Sequence, residues 1–170
     1  FGQPGHNPPG DLLLMNWSGS ALSAPTTLVT AASNENNYYP SFAPDDRWIV
    51  FNRSGGSSYN AIDAHLWAVR ADVTSPTPVR LATADGTGDL GNSWPRFAPF
   101  LQTFQGETLL WVTFSSRRDY GLRLQQQSRP VDMRNAQLWM AGFRPNRPGD
   151  PSAAAFWLPF QDIASGNHVG

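Results

Sequence analysis

The hydrophobic residues of this chain fall into short continuous runs and not into the spacing of an amphipathic helix. Each run is five to seven residues long and is bounded by Gly, Pro, Asn or Asp, which is typical of strands buried on both faces. Helices of this length would leave no room for caps. The pattern predicts strands within 11–17, 47–51, 65–69, 108–114, 137–143 and 155–160.

Two stretches of the chain are similar to each other. NYYPSFAPD begins at Asn37, and NSWPRFAPF begins at Asn92, 55 positions later. Further apolar segments follow each stretch in the same order, so each unit contains four predicted strands. GNHV near the C-terminus matches the GNSW that opens the second full unit. We therefore predict an irregular stretch at 1–10, the second half of a unit at 11–36, full units at 37–91 and 92–165, and the start of another at 166–170.

A four-stranded unit of roughly 40 to 55 residues is typical of a β-propeller blade. The second full unit is longer because residues 119–135 are inserted between its second and third strands. Two full blades and two partial ones do not close a ring, which needs about four or more. The sequence therefore predicts an all-β fold of four-stranded antiparallel blades that form part of a larger propeller. The remaining blades would come from a longer chain or from self-association.

Propeller blades stack face to face, which gives several aromatic and proline residues a packing role. Pro44 and Pro99 are expected to end the first strands, because proline cannot continue a ladder in a central strand. Four phenylalanines are expected to fill the space between neighbouring blades: Phe42, Phe51, Phe97 and Phe114.

The first full unit carries a family resemblance. Its segments P-x-F-A-P-D-D, W-I-V-F, H-L-W-A-V-R-A-D and R-L-A-T resemble, in order, the repeat of TolB-type, WD-like β-propellers. Residues 94–168 are similar to a subgroup of these propellers found in myxobacteria and related bacteria. Two turns depart from the pattern: Asp46 stands where the family has Gly, and Phe100 and Leu101 replace Asp-Gly, so that the second turn must be built differently.

The resemblance implies a non-enzymatic scaffold for protein–protein contacts in the bacterial periplasm or at the cell surface. Two other functions stay open. One is the propeller domain of a prolyl-oligopeptidase-like serine hydrolase whose catalytic domain lies outside these residues. The other is glycan or small-ligand binding at the propeller funnel.

Composition agrees with a fold of short strands, since fifteen Pro and fifteen Gly interrupt the chain too often for long helices. The net charge is −1 and basic residues are not clustered, so no nucleic-acid partner is indicated. No apolar run approaches the roughly 20 residues of a membrane-spanning helix. All twelve basic residues are Arg, a bias typical of a GC-rich bacterial genome.

No motif of an enzyme or a cofactor site is present, and we expect no cofactor. The chain has no Cys and lacks the G-x-S-x-G, H-E-x-x-H and phosphate-loop patterns. Asp85 and Asp89 bracket half of a calcium loop, but the later ligands and the distal Glu are missing. The segment therefore favours a Gly-rich turn between units over a metal site.

The residues with the composition of a binding surface fall into two groups. Arg117 and Arg118 precede the 119–135 insert and Tyr120 lies at its start, and Arg and Tyr are residues that interfaces favour. For Arg118 the structural alternative is an ion pair between units or a hydrogen bond to a loop carbonyl. In the opening stretch of the second unit, Trp94, Arg96 and Phe100 differ from their counterparts in NYYPSFAPD, so any specificity in that strand must lie in these differences.

Overall fold

The computed structural model describes residues 9–56, 61–122 and 125–164. Within these residues the chain is all-β, as predicted, and its sheets are antiparallel. The predicted start of a further unit at 166–170 and most of the 1–10 stretch lie outside the described residues.

Each of the six apolar runs contains a strand, as the pattern predicts. A short helix, α1, joins two of the sheets, and a 3-10 turn lies in the insert. The strands are β1 Leu12–Leu14, β2 Thr26–Val29, β3 Asn36–Phe42, β4 Trp48–Ser54, β5 His65–Arg70, β6 Val79–Arg80, β7 Ser93–Phe97, β8 Gln102–Phe104, β9 Glu107–Ser116, β10 Gln137–Phe143 and β11 Phe156–Trp157; α1 is Ala82–Asp85 and the 3-10 turn is Val131–Met133.

The strands form three sheets, each made from neighbouring segments of the chain. β1 and β2 form a two-stranded sheet, and β3, β4, β5 and β6 form a four-stranded sheet in sequence order. The third sheet has the order β11-β10-β9-β7, with β8 added as a hairpin on β9. Such hairpin connections place consecutive strands side by side, as expected for short loops.

The two larger sheets have cross-strand pairs in common. In the β3–β6 sheet, Phe51 lies opposite Trp67. In the β7–β11 sheet, Phe114 lies opposite Trp139. The first strands also correspond, because their phenylalanines, Phe42 and Phe97, lie opposite Ile49 and Val112 respectively.

Apolar side chains pack the three sheets into one stack. The cluster between the two larger sheets includes Val50, Leu66, Phe97, Phe114 and Phe143, and a second cluster lies between the β3–β6 and β1–β2 sheets. Phe51, Phe114 and Phe143 are at most 1% exposed. Burial of such a side chain contributes roughly 1.5–3 kcal/mol, so these two interfaces hold the fold together.

Phe42 does not have the buried position that the sequence predicts. Its side chain is 50% exposed, whereas Phe97 is 8% exposed. Phe42 lies opposite Ile49 and therefore on the same face, the one that packs against β1–β2. That covering sheet has only two strands and does not reach Phe42, so this prediction is wrong for Phe42.

The turns after the first strands differ between the two sheets. Both first strands end before their prolines, as predicted. In the first sheet Asp46 adopts a φ of 57°, a left-handed conformation that Asp tolerates, and Asp45 accepts a hydrogen bond from the Arg47 N–H at 3.0 Å. In the second sheet the β8–β9 hairpin replaces this tight turn, with Gln105 and Gly106 at φ values of 52° and 80°.

Replacing Phe97 with Ala is expected to lower the free energy of unfolding by about 3 kcal/mol, because it opens a cavity between two full sheets. Phe42→Ala removes the same side chain from the corresponding, half-exposed position and is expected to cost less than about 1 kcal/mol. Urea unfolding followed by tryptophan fluorescence measures both. Equal losses would contradict the packing described above.

Candidate functional site

The first strands of the two larger sheets, β3 and β7, are edge strands that lie beside each other. The Phe97 N–H donates to the Ser41 Oγ at 3.3 Å. Each strand has an irregular register just before or at its proline, and each places an aromatic residue there at positive φ: 52° for Tyr39 and 57° for Trp94. Left-handed backbone is unfavourable for bulky residues and persists only where the surroundings enforce it.

The two aromatic residues at these positions stack on each other. The ring centroids of Tyr39 and Trp94 are 3.9 Å apart, and the ring planes differ by 19°. The Trp94 N–H donates to the Oδ1 of buried Asn52 at 2.9 Å, which anchors the irregular segment to the neighbouring sheet. Tyr38 adds an edge-on contact, 5.0 Å from Tyr39. The stack is therefore fixed from both strands.

Arg96 lies two residues after Trp94 on β7 and is exposed. We call Tyr39, Trp94 and Arg96 the first-strand surface. Both aromatic residues are half-buried, so part of the stack is accessible to a binding partner. A rigid aromatic pair and an exposed guanidinium on the same strand can contact apolar, planar or anionic groups of another molecule.

A polar network fixes the start of β7 next to this surface, with the buried Asp85 carboxylate at its centre. The Oδ1 of Asp85 accepts hydrogen bonds from the Leu66 N–H at 3.0 Å and the Asn92 Nδ2 at 2.9 Å. The Oδ2 lies 2.8 Å from both the Arg80 Nε and the His65 Nδ1. A fully buried carboxylate requires such partners, and here they come from three separate segments of the chain.

Arg118 belongs to this network. Its Nη2 donates to the carbonyl oxygens of Ala84 and Asp85, at 3.0 and 2.9 Å, and to the Asn92 Oδ1 at 2.9 Å. Its guanidinium also lies over the Trp139 ring, 4.9 Å from the centroid. Burial lowers the pKa of Arg118 to about 10, while the nearby Asp85 acts in the opposite direction. Arg118 thus bonds to backbone carbonyls as its structural alternative expects, but these carbonyls belong to α1 and not to a loop.

Of the other two residues of the predicted Arg-Tyr group, Tyr120 meets Arg118 at Trp139, since the ring centroids of Tyr120 and Trp139 are 6.0 Å apart. The Tyr120 ring stacks on Trp157 at 4.6 Å and remains 40% exposed. Burial lowers the pKa of Arg117, and Asp132 opposes that shift. Gln126 holds the described part of the insert. Its side-chain oxygen accepts a hydrogen bond from the Asn135 N–H at 2.7 Å. Tyr120 is the member of the group that offers an exposed ring.

Asp85 and Asp89 contact different nitrogens of His65. The Asp85 carboxylate faces Nδ1, and the Asp89 Oδ1 lies 3.5 Å from Nε2. The Asp85 oxygens are occupied by donors of the protein itself. Across residues 9–56, 61–122 and 125–164, no three His, Asp or Glu side chains are grouped to hold a metal ion.

Trp94, Asp85 and Arg118 were singled out from the sequence, but the residues that join them were not. Tyr39 was visible as the counterpart of Trp94 in the two similar stretches, and this alignment was the available signal. Asn92 was likewise visible as the counterpart of Asn37, whereas Asn52 gave no such signal, because its role depends on two sheets meeting.

Comparison with models of known protein families, with curated proteins and with solved structures found no match to this chain. None of the helices in the described part of the chain has the length and apolarity needed to cross a membrane.

Asp85→Ala is expected to lower the free energy of unfolding by about 3 kcal/mol, because it leaves the buried Leu66 N–H and Asn92 amide, and the partly exposed Arg80 and His65 side chains, without their carboxylate. Asp89→Ala removes the exposed partner of the same histidine and is expected to change stability by less than about 0.5 kcal/mol. Chemical denaturation compares the two variants. Equal losses of stability in the two variants would contradict the central position of Asp85 in the network.

Tyr38 provides a pH-dependent prediction. Burial raises its pKa to about 12, although its hydrogen bond to Ser54 lowers it. The unfolded chain ionises Tyr38 near pH 10, so its contribution to stability is present below about pH 10 and is lost as the pH rises towards 12. We expect ultraviolet titration to show a late phenolate transition that Tyr38→Phe removes. Between pH 10 and 12 the wild type should also lose more stability than the variant. If the wild type and Tyr38→Phe differed only by one phenolate transition near pH 10, this assignment would be refuted.

Proposed function

We propose that this chain is part of a β-propeller that serves as a non-enzymatic scaffold for protein–protein contacts. In this proposal the β3–β6 and β7–β11 sheets are neighbouring blades, and β1–β2 is the outer half of a preceding blade. Shared strand order, the Phe51–Trp67 and Phe114–Trp139 pairs, and the irregular first strands support the correspondence of the two sheets. A periplasmic or cell-surface location follows only from the resemblance to TolB-type propellers.

The first-strand surface is the contact site in this proposal, and its stacked aromatic pair is the observation that carries the function. Tyr, Trp and Arg are the residues in which binding hot spots are enriched. Here the two rings are held by neighbouring sheets and by the Asn52 hydrogen bond to Trp94. Little conformational entropy is lost when such a prepared surface binds. The positive φ values add a second argument, because strained backbone concentrates at functional sites.

A glycan or small molecule is the second candidate ligand for the same surface. Small-ligand sites combine aromatic walls with a few polar groups, and the Tyr39–Trp94 stack beside Arg96 has that composition. A glycan array with wild-type protein and with Trp94→Ala separates the two candidates, since a protein-binding scaffold gives no Trp94-dependent glycan signal.

Arg96→Glu is expected to reduce the capture of envelope proteins by the full-length protein at least about tenfold, because it reverses the charge of an exposed interface residue. Quantitative mass spectrometry of pull-downs from an envelope fraction measures this. Arg47→Glu is the matched control, since the Arg47 side chain is 67% exposed in the turn between β3 and β4. Both variants should keep the wild-type circular dichroism spectrum.

Capture that is unchanged in Arg96→Glu would rule out the first-strand surface as the contact site. Equal losses in Arg96→Glu and Arg47→Glu would show only a general effect of charge and would also count against it.

A further inference from the structure

An apolar groove of about 590 Å³ lies on the outer face of the β7–β11 sheet. Along β9, Leu110, Val112 and Phe114 belong to the core cluster, so the alternate residues Leu109 and Trp111 point to the opposite face. The β8–β9 hairpin forms one wall of the groove. Its apolar lining is Phe104, Leu109, Trp111, Ala153, Ala154 and Phe156.

Trp111 corresponds to Trp48 in the other large sheet. Each tryptophan directly precedes the residue that lies opposite the phenylalanine of its first strand. Trp48 is 9% exposed, because the next sheet covers it and the Phe143 ring lies edge-on to it at 5.1 Å. Trp111 faces the groove instead, with Phe156 of its own sheet 6.0 Å away. The internal interface therefore shows what kind of surface fits here: the inner face of a sheet with an aromatic residue at the position of Phe143.

The opposite end of the stack presents such a face. Leu12 is buried against the β3–β6 sheet, while Leu13 and Trp17 are 60% and 63% exposed. Trp17 is five residues after Leu12. Phe143 is likewise five residues after Leu138, the second residue of β10. Trp17, three residues after the end of β1, is therefore the sequence counterpart of the residue that packs on Trp48 within the chain, and its ring is exposed.

We propose that a second copy of this chain covers the groove. The outer face of the β1–β2 sheet of one copy docks on the outer face of the β7–β11 sheet of the next, with Trp17 against Trp111. The chain carries both faces, and both are apolar and uncovered within its described residues, which argues for a second copy as the occupant. The inference rests on the correspondence of the sheets in the proposed function, but not on the proposed partner-binding surface.

The two faces differ, so the contact is head-to-tail and not a twofold dimer. Head-to-tail contacts close into a ring or continue as an open chain of copies, depending on the rotation between successive copies. The mass of the assembly must therefore rise with protein concentration beyond that of a monomer.

Sedimentation velocity over a wide concentration range tests the proposal with two exposed substitutions. Phe104→Arg places a charge at the groove, where the native side chain is 51% exposed, and Trp17→Arg changes the other face. Each variant alone is expected to remain monomeric. An equal mixture is expected to form a one-to-one heterodimer and nothing larger, because only one intact pair of faces remains.

Leu122→Arg is the matched control, since Leu122 is 93% exposed in the insert, and it should associate like the wild type. Trp17→Ala is expected to weaken association about thirtyfold, as for other buried aromatic anchors. Arg96→Glu should associate with itself like the wild type. A failure of the proposed self-association can therefore be distinguished from a failure of the proposed partner binding. A wild-type protein that stays monomeric, a mixture that does not pair, or self-association of Trp17→Arg would each overturn the proposal.

Discussion

The need to satisfy one buried carboxylate determines how the two large sheets meet. Asp85 is fully buried at the end of α1, and its oxygens are bound by the start of β5, the end of β6 and the segment before β7. An unpaired carboxylate would be too costly there, so these elements must keep their relative positions. The same arrangement lets the buried Asn52 side chain donate to the carbonyl oxygen of Asn92 at 2.7 Å, which brings β7 beside β4. The position of Trp94 over Tyr39 follows from these contacts.

Polar and apolar contacts have separate roles in this interface. Desolvation offsets much of what a buried ion pair gains, so the network around Asp85 contributes specificity more than net stability. The free energy comes from the phenylalanines and tryptophans of the core cluster. A one-residue slip of β7 would turn Phe97 away from that cluster and would separate Asn92 from Asp85, Arg118 and Asn52. The two kinds of contact therefore select the same register.

The sequence was informative wherever the surroundings of a residue are set by its own strand or by the next strand along the chain. The six apolar runs, the strand ends before Pro44 and Pro99 and the Asp45 turn are of this kind. The exposure of Phe42 was not predictable, because it depends on how many strands cover the opposite face. Likewise, the meeting of His65 with Asp85 requires the β5–β6 hairpin, and the burial of Arg118 requires a second sheet to reach α1. These properties depend on packing between sheets, which the hydrophobic pattern of one strand does not encode.

Corresponding residues of the two sheets separate the effect of sequence from that of surroundings. Phe42 and Phe97 are the same residue type at corresponding positions, as are Trp48 and Trp111, and in each pair the buried member lies between the two full sheets. Their side chains have similar transfer free energies, so the exposed members retain an unrealised gain from burial. Apolar faces at both ends of the stack thus favour contact with further sheets, while the rigid first-strand surface lies on the edge strands. A contact that covers the faces leaves those edges free, so assembly and partner binding are compatible in one molecule.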